Sequence, residues 1–186
     1  MPKVKMAETF EIISVRKVIF RIATGKRIGY LADQFGNRSV LEWKSPTIEA
    51  EDQYIEIVKK QLRNYGYNVF EETDDLFGSS SAEKARFQIG AIIKDVHITN
   101  VWARGITCIA NFCEIGNRPI TEMTMDVEWQ IHDGFASTIV LKQSIQGYYY
   151  EEKDLKNIDQ VFYDTYENSF LRFMAFEEFT STLGGK

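Results

Sequence analysis

The stretch ITEMTMDVEWQIH, residues 120–132, sets Met123, Met125, Val127, Trp129 and Ile131 on one side and Thr124, Asp126, Glu128, Gln130 and His132 on the other. A period of two belongs to a β-strand, and a clean apolar/polar alternation belongs to an antiparallel sheet with one packed and one solvated face. Asp133-Gly134 follows directly and signals a hairpin, with Ala136 to Tyr150 as the returning strand. Any fold for this chain must therefore bury the Trp129 side of a sheet.

The remaining segments supply the cover. Phe10–Ile22 is rich in β-branched and aromatic residues and stops at the turn Thr24-Gly25-Lys26; Arg27–Leu31 and Ser39–Trp43 read as short strands around a turn at Phe35-Gly36-Asn37. A helix is expected to start at Ser45-Pro46-Thr47 and to bury Ile48, Tyr54 or Ile55, Val58, Leu62 and Tyr65, with Gly66 as its left-handed stop. Tyr67–Phe70 is a short strand, EETDDLFGSSSAEKA a long loop, and the segment from Arg86 is apolar on both faces, as a central strand requires. A last helix is expected over about Leu155–Phe179, its stripe formed by Leu155, Ile158, Phe162, Tyr166, Phe170, Phe173 and Phe176. The order of elements predicts an α+β fold: an antiparallel or mixed β-sheet with two long helices packed on one face. At 186 residues the chain is expected to form a single domain over 1–186, with 1–9 and 180–186 as frayed tails.

Cys108 and Cys113 lie in GITCIANFC, which reads as one strand with Cys108 beside Ile106, Ala110 and Phe112 and Cys113 on the opposite side. At about 3.3 Å per residue the sulfurs meet only if that strand bends sharply, so two buried, inert thiols are expected.

The net charge of −5, with no Lys/Arg block longer than two, disfavours nucleic acid and anionic membranes as partners. No run of residues reaches the length of a spanning helix, and residues 1–20 lack the apolar stretch of a signal peptide. A cytoplasmic chain, or one whose targeting segment has been removed, would read this way. Two histidines and two cysteines in separate strands offer no convergent metal site, and GSSSAEK lacks the spacing of a phosphate-binding loop. Asp126 with Glu128, or His132 as a base, are the residues an enzyme would have to use; the solvated outer face of a sheet accounts for all three. No enzyme activity and no cofactor are expected.

Binding remains. Leu171 and Met174 fall off the inward stripe of the last helix, Phe179 lies near its edge, and Tyr148-Tyr149-Tyr150 turns at least one ring outward, so Leu171, Met174, Phe179 and Tyr149 form a candidate surface for a protein partner or for self-association. The competing reading covers both sides of that helix within the domain. A second candidate is a small-ligand cleft between the 72–85 loop and the sheet, near Trp102 and Arg104.

The segments VIFRIATGKRIGYL, IVKKQLRNYGYNV and ARFQIGAIIKDVHI, followed by alternating strands and a long terminal helix, resemble small bacterial envelope lipoproteins of the YajG type. More loosely, they resemble the N-terminal domain of TolB and the auxiliary lipoproteins of ABC transporters. The resemblance implies a non-catalytic accessory of envelope, secretion or transport machinery, periplasmic or outer-membrane-associated, with membrane contact only through a lipid anchor upstream of Met1. A cytoplasmic location is the alternative. The chain departs from the pattern in having no lipobox cysteine, its two cysteines lying inside the domain. No catalytic residue is carried over.

Overall fold

The computed structural model describes residues 4, 6, 11–33, 35–44, 48–70, 85–109, 112–153 and 157–184, the backbone alone for 48–49, 103–109 and 112–117. In chain order the elements are β1 (Ile12–Phe20), β2 (Arg27–Ala32), β3 (Arg38–Glu42), α1 (Ile48–Asn64), β4 (Asn68–Val69), β5 (Phe87–Ile109), β6 (Phe112–Asp133), β7 (Thr138–Glu151), α2 (Ile158–Met174) and α3 (Glu177–Leu183). The strands make one mixed sheet, in agreement with the α+β expectation.

β5 is its axis. Along one edge it pairs over its full length with β6, antiparallel, and β6 pairs with β7. On the other edge β1 and β2 lie one after the other, both parallel to β5, with Ile13 opposite Phe87 and Gly29 opposite Ile98. β4 extends the sheet beside β1, and β3 folds back on β2. The turn between β2 and β3 is built on Asp33, whose carboxylate accepts from the amides of Phe35 and Asn37 and from the Asn37 side chain. That is the reach of a short acidic side chain at a turn's first position.

The alternation of β6 is realised as read: Met123, Met125, Val127, Trp129 and Ile131 are all fully buried. Trp129 is the centre of the core, packed against Tyr166, Phe170 and Phe173 of α2, with its indole N–H donating to Ser169 Oγ at 2.9 Å. α1 joins the same layer through Tyr54, edge-on to Tyr166. Its end is set by Gly66 at φ +83°, with Tyr67 N–H bonded to the Leu62 carbonyl and Gly66 N–H to the Arg63 carbonyl. This is the pair of bonds of a Schellman stop, and the left-handed residue it needs is the glycine that the sequence supplies.

Several expectations are corrected. The terminal helix is two helices: α2 ends at Met174, and α3 begins after Phe176, so the chain folds back and carries Phe179 against Tyr67, Phe170 and Phe173. Phe176, expected on the inward stripe, is exposed, and Leu183, expected in a frayed tail, is buried. GITCIANFC is no single strand, because β5 stops at Ile109 and β6 starts at Phe112, which places Cys108 opposite Cys113 in the register. The helix start at 45–47, Leu155 and the loop of 71–84 lie outside the described residues.

Candidate functional site: the open face of the sheet

All three helices pack on the Trp129 side, so among the described elements the opposite face of β1, β5, β6 and β7 has no helix over it. Its midline is ionic. Glu128 Oε2 accepts from Lys94 Nζ at 2.6 Å, while Oε1 accepts from Lys142 Nζ at 2.9 Å and from Gln130 Nε2 at 2.6 Å. Lys142 reaches in from β7, two residue pairs along from Ser144, which stands opposite Glu128. Lys94 reaches in from β5, where it is the extra residue of a bulge between Ile93 and Asp95. Without the bulge, strict alternation could not keep Ile93 in the core and also turn Asp95 to the open face.

These partners cover the carboxylate so well that the Glu128 side chain is only 8% exposed, although it sits on the face expected to be solvated. The hydrogen bond from Lys94, then that from Lys142, holds its pKa down to about 2 against the opposing effect of burial. A carboxylate fixed in its ionised form by three donors is a structural anchor and a poor proton shuttle. Asp126, the other half of the candidate dyad, accepts from Gln146 Nε2 at 3.0 Å. Among the described residues no group of three His, Cys, Asp or Glu side chains is placed to hold a metal ion.

The sign of the pH effect follows. A glutamate whose folded pKa lies below its ordinary value stabilises the fold above about pH 4.5, and that contribution disappears as the pH falls from there towards 2. Glu128→Gln is therefore expected to cost about 1 kcal/mol at pH 7, a modest figure because both lysine side chains are about half exposed and solvent screens them. It is also expected to flatten the acid limb between pH 4.5 and 2 in urea unfolding measured across a pH series. Superimposable acid limbs for the two proteins would show that the cluster adds no stability.

Around this midline exposed apolar and aromatic side chains stand among polar ones such as Asp126 and Gln146. Tyr148 and Tyr150 of β7 are 46% and 45% exposed, and Ile139, at the other end of the strand, is exposed with its neighbours Val140 and Phe135. Ile12 and Ile19 of β1 contribute two further exposed side chains. The outer edge of β7 is partly closed by α2, since Asn168 accepts from the Tyr148 amide and Arg172 donates to the Gln146 carbonyl. Side-chain capping of this kind blunts an edge strand against unwanted pairing.

The four residues expected to form a partner surface do not come together as one. Met174 and Phe179 are fully buried, because the fold-back of α3 covers the side of α2 that a longer helix would have left bare. Leu171 is half-buried. Tyr149 faces the core side opposite Met123, and its hydroxyl donates to Glu151. The outward rings are those on either side of it. Trp102 is half-buried at a β5 position opposite Pro119, while the Arg104 side chain and the 72–84 loop lie outside the described residues.

No family model and no curated protein matches the sequence. Among solved structures, the chain is similar to a neuraminyllactose-binding hemagglutinin homolog from Helicobacter pylori at 9% identity and TM-score 0.46, covering 98% of this chain and 91% of that one. It is similar to the PelC dodecamer from Paraburkholderia phytofirmans at 11% identity and TM-score 0.42, over 94% of this chain and 91% of that one. A lipoprotein from Neisseria meningitidis matches at 9% identity and TM-score 0.37, over 82% and 92%. No helix among the described residues is long and apolar enough to cross a membrane.

Proposed function

We propose that this protein is a non-catalytic binding module of a bacterial cell-envelope assembly, and that it meets its protein partner with the open face of the sheet along β7. The observation that carries this reading is the exposure of Tyr148 and Tyr150 on a sheet face that no described helix covers. Tyrosine gives large contact area for little lost rotamer freedom and is enriched where proteins meet. Beside the rings, the Lys94–Glu128–Lys142 cluster offers fixed charges that orient a partner without offering acid–base chemistry. Location in the envelope rests on the resemblance of the β1–β2, α1 and β5 segments to YajG-type lipoproteins.

The test is a photo-crosslinking amino acid placed at position 148 in the native host, with position 56 on the exposed side of α1 as the control. Adducts to a defined protein from 148, absent from 56, are expected in the envelope fraction. Equal labelling from both positions, or none from 148, would overturn the assignment of the face, and recovery of the chain in the cytosol would overturn the location alone. Tyr148→Asp combined with Ile139→Asp is expected to shift folding stability by no more than about 0.5 kcal/mol, since both side chains are exposed, while the association is lost.

A further inference from the structure

We propose that Cys108 and Cys113 are a disulfide site, which clasps the projecting end of the β5–β6 ribbon when a disulfide oxidant reaches it. β5 pairs with β1 and β2 only as far as Asn100, and β6 pairs with β7 only from Thr121 onward. Past these points residues 103–109 of β5 pair with 112–118 of β6 and with no other described strand. A ribbon of two strands has little to hold it beyond its own ladder.

The register places Cys108 and Cys113 directly opposite each other, one pair inward from Ile109 and Phe112. Residues opposed across an antiparallel pair have Cα atoms about 4.5–5.5 Å apart, inside the roughly 4.4–6.8 Å that a disulfide spans. Their Cβ atoms stand about 4.5–5.5 Å apart, less in the narrower kind of pair, which borders on the distance the bridge requires. Two cysteines anywhere else on one strand, or on strands out of register, would not meet this condition. The pairing therefore replaces the picture of two thiols held apart along a single strand.

The chemistry is thiol–disulfide exchange. The thiolate of one cysteine attacks a protein or small-molecule disulfide, forming a mixed disulfide and releasing one thiolate of the oxidant. The thiolate of the other cysteine then attacks the mixed disulfide, forming the Cys108–Cys113 bond and releasing the second. Two protons leave the cysteines and two electrons pass to the oxidant, which ends as two thiols.

The experiment uses the full chain, reduced, freed of reductant and equilibrated in buffers of oxidised and reduced glutathione, then quenched in acid, alkylated and mapped by mass. The expected product carries one bond between Cys108 and Cys113 within a single chain, with no alkyl group and no glutathione, and Cys108→Ser and Cys113→Ser each carry glutathione on the remaining cysteine. Free thiols, stable glutathione adducts on both cysteines of the unaltered chain, or covalent dimers as the main product would each overturn the proposal. None of these outcomes bears on the open-face reading, which does not involve either cysteine.

Discussion

Gly29→Ala is expected to lower the stability of this protein by about 3 kcal/mol or more, placing it in the tail of severe substitutions. Gly29 is in β2, at a register shift, with φ +154° and its Cα opposite Ile98 of β5. A methyl group built on it falls inside the Ile98 carbonyl, which is backbone in the sheet's central strand and has nowhere to retreat. The strain of the backbone conformation adds to the overlap. Urea unfolding followed by far-UV circular dichroism measures the loss. Because β2 carries β3, faster amide exchange over residues 27–42 is expected to accompany it. A midpoint within error of the unaltered protein would show that β2 does not pair with β5 as described.

Trp129→Ala is the second, with an expected cost of about 3–5 kcal/mol. The indole is fully buried under three aromatic rings of α2, so its removal leaves a cavity bounded by stiff side chains and leaves the Ser169 oxygen without the donor it accepts from. Trp129→Phe separates the two contributions. It keeps most of the ring contact and loses the hydrogen bond, for which about 1 kcal/mol is expected beyond the change in volume. Equal costs for the two variants would mean that the hydrogen bond, and not the packing, holds α2 on the sheet.

The face that Trp129 occupies was legible in the sequence because a period of two over so long a run admits one reading. The positions at which the period slips were not. Opposite His132 and Ile131, β7 supplies Ile139 and Leu141, with Val140 extra. That one residue decides that Tyr149 turns inward opposite Met123 and that Tyr148 and Tyr150 turn outward. Counting straight back from the Asp133-Gly134 turn gives the opposite assignment, and nothing in Ile139-Val140-Leu141 as a string announces a bulge. The burial of Glu128 was hidden for the same reason: its partner Lys94 is brought to it by a bulge in a different strand.

The end of α2 failed through periodicity instead. The stripe Phe170, Phe173, Phe176 continues at helical spacing across the break, and only the capping pattern marks it: the Ala175 and Phe176 amides bond to Leu171 and Phe173, and Glu177 and Glu178 then open a new first turn. Acidic residues favour the start of a helix, and two of them together three positions after Met174 were the available signal. With α2 and α3 read as one helix, Met174 and Phe179 looked like surface; the fold-back makes them core. Tyr148 and Tyr150 were within reach, since a run of three tyrosines on a half-buried strand must turn at least one ring out.

The parallel pairing of β1 with β5 also sets a timetable for a chain made from its N-terminus. Ile13 waits for Phe87, so 74 residues (87 − 13) are added before the first strand can find β5. At about 5–20 residues per second that interval is roughly 4–15 s. During it β2 can pair with β3 and β1 with the two residues of β4, while the edges meant for β5 stay open to whatever else is nearby in the cell. β5, β6 and β7, joined by short connections, can close as soon as they emerge. The last-made half of the sheet is thus the template on which the first-made half is assembled.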